Sequence, residues 1–229
     1  MRFLCISDVH GDEQALLAVF SAAEKRGFSI ENRTASVLVA GDLCFPGPKP
    51  LETWLLLMKA GASCVRGTVD LALATLDLKR IQPTNDHERA RLQRLRDTRE
   101  KLGELIVHKL ARLPPMLRFP MEDGGELVLV HGSPRDPFEP MTHDMSDAEI
   151  SALIGDDPAD VILCGASHLP FDRTVSGIRI INLGSVGEAP LGTPGEGSAK
   201  RRHADLTLLE TSPEGIWVEQ LSVPIAPAA

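Results

Sequence analysis

The chain has 229 residues, of which 43% are apolar, enough to close a hydrophobic core within one domain. Its 24 Lys and Arg against 32 Asp and Glu give a formal net charge of -8. That excludes the basic field that a general nucleic-acid or membrane-surface binder needs. Tyrosine is absent and only 4% of residues are aromatic, so a base-stacking platform is not expected.

The N-terminal stretch, MRFLCISDVHG, is apolar only as far as Asp8, too short for a secretory segment. No run approaches the ~20 apolar residues of a membrane span, so the expected location is cytoplasmic. The four cysteines (Cys5, Cys44, Cys64 and Cys164) are widely spaced and are expected as reduced thiols. Each lies near a motif, which would suit a soft metal ligand, but small apolar residues in tight strands account for them better.

The first third alternates strand and helix. RFLCIS (2–7) is a continuous apolar run, as in a strand buried on both faces. DEQALLAVFSAAEKRG (12–27) has helical spacing and stops at Gly27. ASVLVAG (35–41) and ASCVRG (62–67) read as further strands, separated by a Pro-rich turn and a helix at 51–61. Such alternation predicts parallel strands covered by helices. Residues 86–113 predict one long charged helix with an apolar stripe of Leu92, Leu95, Leu102, Leu105, Ile106, Leu110 and Leu113, ended by Pro114 and Pro115. Its basic face reads as solvated. A homodimer contact through this helix is the minor alternative.

The second half predicts a strand at 126–132, a helix at 146–155 opened by a Ser146–Glu149 capping box, and a strand at 160–165. Strands then follow on either side of a Ser176–Gly177 turn, with a last hairpin around Pro213–Gly215. GEAPLGTPGEGSAKRRH lies between them and is rich in Gly and Pro. Nothing reads as an interdomain linker, so residues 1–229 are expected to form one domain.

Five strand ends carry groups suited to chemistry: Asp8-Val9-His10, Gly41-Asp42, Gly67-Thr68-Val69-Asp70, His131-Gly132 and Gly165-Ala166-Ser167-His168. Carboxyl ends of strands are where α/β sheets build sites. Taken singly, each residue has a structural explanation. Asp8 would cap the following helix, Asp42 would serve a turn, and either histidine would be a bonded core residue. Taken together they strain it, because a buried strand tip is a costly place for an uncompensated charge. One cation would compensate them all, and mixed Asp/His donors suit Mn, Fe, Ni, Zn or Co.

The ordered set DxH…GD…GTVD…HG…GASH resembles the calcineurin-like metallophosphoesterase family, whose usual pattern is DxH…GD…GNHD…HG…GHxH. HGSPRDP and INLGSVG are similar to its small bacterial phosphodiesterase branch. The resemblance runs from residue 2 to about 222. It implies a four-layer α/β/β/α sandwich, two mixed sheets flanked by helices. It also implies a two-metal centre acting on small phosphate esters through a metal-bound hydroxide. By position, the first ion would take Asp8, His10, Asp42 and His168, all present. The second would take Asp42, Thr68, His131 and Ala166, two of them changed from the family's Asn and His. Val69 replaces the histidine expected near the leaving group. The implied cofactor is a divalent transition metal with one strong site and a weaker second one.

Asp42 and His131 are the expected catalytic residues, His131 as a second-metal ligand or as a proton donor to the leaving group. Thr68 is a poor metal donor and Ala166 offers none. Arg135 is the expected substrate contact, with Lys200-Arg201-Arg202-His203 as a weaker alternative. A member that binds metal or phosphate without turnover, serving regulation or interaction, is the competing reading.

Overall fold

The computed structural model describes residues 1–189 and 202–225. The first sheet contains β1 (Arg2–Ile6), β2 (Ser36–Val39), β3 (Ser63–Cys64), β9 (His203–Ser212) and β10 (Gly215–Pro224), in the order β10-β9-β1-β2-β3. β1, β2 and β3 are parallel, and β9 and β10 run antiparallel at the other edge. The second sheet contains β4 (Met116–Pro120), β5 (Glu126–Val130), β6 (Val161–Cys164), β7 (Phe171–Val175) and β8 (Ile178–Asn182), in the order β4-β5-β6-β8-β7. Its centre, β5-β6-β8, is parallel, with an antiparallel strand at each edge.

The two-residue period of the strands divides the core into layers. Phe3 and Cys5 of β1 turn toward the second sheet, where they join Leu127, Leu129, Leu163 and Ile181. Their neighbours Leu4 and Ile6 turn outward, onto a cluster built with α1 (Glu13–Glu24) and α2 (Pro50–Lys59). On the other side, Val128, Val130, Ile162 and Ile180 pack with Ile150 and Ile154 of α5 (Asp147–Ile154). Helix, sheet, sheet and helix are thus stacked, the four-layer sandwich expected. Strands at the centre of such a stack are buried on both faces, which is why β1 and β6 read as unbroken apolar runs.

The structure departs from the sequence expectation in three places. Thr68 begins a further helix, α3 (Thr68–Thr75), absent from the expected elements because a short TVDLALAT stretch signals it weakly. Strand β4 lies directly behind Pro114 and Pro115, and its alternation is masked by being a half-exposed edge. The long helix is α4 (Asp86–Ala111), but Gly103 takes φ 72°, ψ 160° and breaks it. The break shifts the helical phase. Leu92, Leu95, Leu102 and Leu110 are buried as expected, while Leu105 is 70% exposed. Part of the basic face is structural: Arg99 donates to the carbonyls of Leu73 and Leu76, the end of α3.

Candidate metal centre

The carboxyl ends of β1, β2, β5 and β6 meet on one side of the sandwich and bring Asp8, His10, Asp42, His131 and His168 together. Two groups of mutually close donors result: Asp8, His10 and His168, and Asp8, Asp42 and His131. The family pattern made Asp42 the shared carboxylate. In the structure Asp8 is the residue common to both groups.

Backbone conformation sets this up. Five of the seven non-glycine residues with positive φ among the described residues are Asp8 (54°), His10 (53°), Asp42 (54°), Ala166 (61°) and His168 (59°). Each costs roughly 1–2 kcal/mol for an L-residue, so the surroundings must enforce it. The enforcement is a network of main-chain bonds: Asp8 N to Gly41 O (3.1 Å), His10 N to Asp42 O (2.8 Å) and Gly165 N to His131 O (2.8 Å). Asp8-Val9-His10 and Ala166-Ser167-His168 are conformational twins, left-handed at first and third positions. Close approach of the two loops needs Gly165, where a Cβ would stand 1.9 Å from Ser7 Oγ and 2.6 Å from Asp8 Oδ2.

Asp8 is fully buried and its two oxygens have different surroundings. Oδ2 accepts from Ser7 Oγ (2.6 Å) and Ala166 N (3.0 Å). Oδ1 has no hydrogen-bond partner, yet lies 3.2 Å from His168 Nε2 and 3.6 Å from His10 Nε2. Those two Nε2 atoms are 3.2 Å apart. Nitrogens on one tetrahedral ion at ~2.0–2.1 Å stand roughly 3.3 Å apart. His10 Nδ1 donates to Phe45 O (2.6 Å), and His131 Nδ1 donates to Ala40 O (2.6 Å). Each bond fixes the orientation of its ring and turns Nε2 toward the cluster. His131 Nε2 is 3.5 Å from Asp42 Oδ2. A carboxylate oxygen without a hydrogen-bond partner, faced by imidazole nitrogens, is a donor set that fits a divalent transition ion.

The charges are strongly coupled. Burial opposes ionisation of Asp8, but His168, His131 and His10 outweigh it and hold the carboxyl below the usual range. Burial pushes Asp42 up to about 6, against the pull of His131. His131 and His168 are raised despite burial, by Asp42 and Asp8 in the first case and chiefly by Asp8 in the second. Asp70 is a buried tie: it accepts from Asp42 N, Leu43 N and Gly67 N at 2.9–3.0 Å and fixes the β2 loop to the start of α3.

The remaining expected residues are placed as follows. Thr68 is exposed in the first turn of α3. Val69 serves through its backbone, donating to Asp42 Oδ1 (2.8 Å). Ala166 contributes its backbone N to Asp8 and no side-chain donor. Arg135 is exposed and turned to α5, with Nη1 on Ala152 O (3.3 Å). Arg202 pairs with Asp12, the residue that caps α1 through Ala15 N; Asp8 is not that cap. Lys200 and Arg201 lie outside the described residues. All four cysteines are free and buried, and burial pushes the Cys64 and Cys164 thiols up to about 12. None of them belongs to either donor group among the described residues. One nearby carboxylate escaped the sequence reading. Glu188 Oε2 lies 3.6 Å from His10 Nε2. Its position directly after the INLGSVG motif was the available signal.

Comparison with known proteins agrees with this architecture. Solved structures similar to it include a hypothetical protein from Pyrococcus horikoshii, with a TM-score of 0.77 at 21% identity over 99% of this chain and 89% of that one. A metallophosphoesterase from Sphaerobacter thermophilus gives 0.69 at 24% identity, over 97% and 89%. No curated protein matches the sequence. Residues 1–200 match the calcineurin-like phosphoesterase superfamily domain, and the chain belongs to that family.

Proposed function

We infer from membership in the family, which implies divalent-metal use and small phosphate-ester substrates, that the two donor groups supply the metal ligands. We propose that the chain is a single-domain, cytoplasmic, metal-dependent phosphoesterase, cleaving a phosphodiester or an activated phosphomonoester. One ion is held strongly by Asp8, His10 and His168 with Asp42. A second, weaker site draws on Asp42, Asp8 and His131. The observation that carries this reading is the buried Oδ1 of Asp8, without a hydrogen-bond partner and facing the Nε2 atoms of His10 and His168.

A bound divalent ion lowers the pKa of its water toward ~7 and polarises a phosphoryl oxygen. The chain's own residues do the rest. Asp8 and Asp42 supply the negative charge that retains a cation. Asp70 holds the Asp42 loop in place through its backbone amides. His131, fixed by Ala40 O, directs Nε2 at the cluster, where it either binds the weaker ion or delivers a proton to the leaving oxygen. In this reading Arg135 anchors its own loop to α5 rather than touching substrate.

The second half-site is altered rather than absent. Alanine is a poor residue for positive φ because no polar side chain compensates the strain, yet Ala166 keeps the conformation of its Asp8 twin. The same substitution favours the competing reading, a member that binds without turnover.

Dialysis of manganese-loaded protein followed by elemental analysis, together with an aryl-phosphodiester assay, tests both. The expected outcome is close to one retained ion per chain, with metal-dependent hydrolysis that Asp42→Asn reduces to background. One retained ion with equal rates for wild type and Asp42→Asn leaves the non-catalytic reading in possession of the site.

A further inference from the structure

Asp8, His10 and His168 are three mutually close donors, to which the reading above adds the buried Asp42. The structure offers another carboxylate on the opposite, open side. Residues 185–188 lie across the main chain of the first loop. Val186 N donates to Ser7 O (3.0 Å) and Gly187 N to Asp8 O (2.9 Å). Ser185 Oγ donates to Asp8 O (2.9 Å) and accepts from Glu188 N (2.8 Å), so the backbone of Glu188 is registered on Asp8 itself. A Cβ at position 187 would stand 2.2 Å from Val9 O, so only glycine lets the strand pass this close.

That register puts Glu188 Oε2 at 3.6 Å from His10 Nε2, the same distance as Asp8 Oδ1 on the buried side. Asp8 is 0% exposed, while the Glu188 side chain is 44% exposed. Among the described residues no Lys or Arg lies within ion-pair distance of the Glu188 carboxylate. A glutamate charge at the mouth of a site that receives phosphate anions is counterproductive, because it repels them. Bound to a cation, its charge is neutralised.

Building on the metal reading above, we propose that Glu188 is a ligand of the ion held by Asp8, His10 and His168, closing its donor set from the solvent side. It is not one of the family's pattern positions; a carboxylate here adds one donor and one negative charge to the ion held by Asp8, His10 and His168. Its exposed stem allows an incoming phosphoryl oxygen to displace it.

The test is titration of metal-free protein with Co(II), read by calorimetry and by the visible d–d spectrum, for wild type, Glu188→Gln, Glu188→Asp and Asp8→Asn. Wild type is expected to take up one tight ion. Glu188→Gln is expected to bind it roughly 10–100-fold more weakly, with a changed band shape, and Glu188→Asp to fall between them. An affinity and spectrum unchanged in Glu188→Gln overturn the proposal. A weaker affinity with an unchanged spectrum also overturns it, because the carboxylate then acts by charge alone. If wild type binds no ion, or Asp8→Asn binds as tightly as wild type, the metal reading itself fails, and Glu188 with it.

Discussion

The two donor groups share Asp8 but differ in everything around it. His168 is 25% exposed, and Glu188 reaches the neighbouring His10 from the solvent side, whereas His131 and Asp42 are buried. On the open side, two imidazoles converge on an Asp8 oxygen with no hydrogen-bond partner. On the sealed side, Asp42 already accepts from Val69 N, and His131 faces one carboxylate oxygen at 3.5 Å. A donor with a partner of its own gains less from a cation than one without. The difference argues that the open group retains an ion on its own and the sealed group only assists.

Paired alanine variants break or sharpen this comparison with the largest expected effect. His168→Ala removes a lone-pair donor from the open group. Retained manganese is expected to fall below detection, and hydrolysis to background. His131→Ala is expected to keep the retained ion while the turnover rate falls about 10²–10⁴-fold, the usual contribution of a positioned acid or base. Elemental analysis and steady-state rates on the two variants read this directly. Equal metal loss in both would mean that the groups act as one site.

The fold was legible because strands buried on both faces write continuous apolar runs, and because Gly and Pro punctuate them. β1, β2, β5 and β6 fall within the expected ranges. The misses have local causes: α3 is only eight residues long, β4 hides at an edge behind two prolines, and Gly103 interrupts a helix whose composition stays helical on both sides. In the site, ordered motifs marked the residues that carry the donors. They did not reveal that Asp8 falls in both groups of close donors, since that depends on how the loops fold together. Nor did they mark Glu188, whose carboxylate reaches His10 only through contacts between positions some 177 apart.

Restoring the sealed side should move it toward the open one. Thr68→Asn with Ala166→His places a carbonyl and an imidazole at positions whose backbone is already set, Ala166 in the left-handed twin of Asp8 and Thr68 at the first turn of α3. Manganese retained after dialysis is expected to rise from near one toward two ions per chain. No gain would show that side-chain identity is not what weakens the second group.

The smallest effects concern the backbone that both groups share. Gly165→Ala forces a methyl against Ser7 Oγ and Asp8 Oδ2, in the middle of the bonds that aim Asp8. Thermal unfolding of the metal-free protein is expected to show a loss of about 1–3 kcal/mol, or several degrees in Tm, as for overpacked cores. Gly177→Ala, at φ 87° in the open β7–β8 turn with nothing near its Cβ, isolates the conformational part at about 1 kcal/mol. Ala166→Gly runs the other way. It relieves the left-handed strain of an alanine and gives back part of the gain in unfolded-chain entropy, for a net stabilisation of about 0.5–1 kcal/mol. Destabilisation by Ala166→Gly would mean that the methyl group packs productively where the sealed half lacks a donor, and that position 166 has been rebuilt as part of the core.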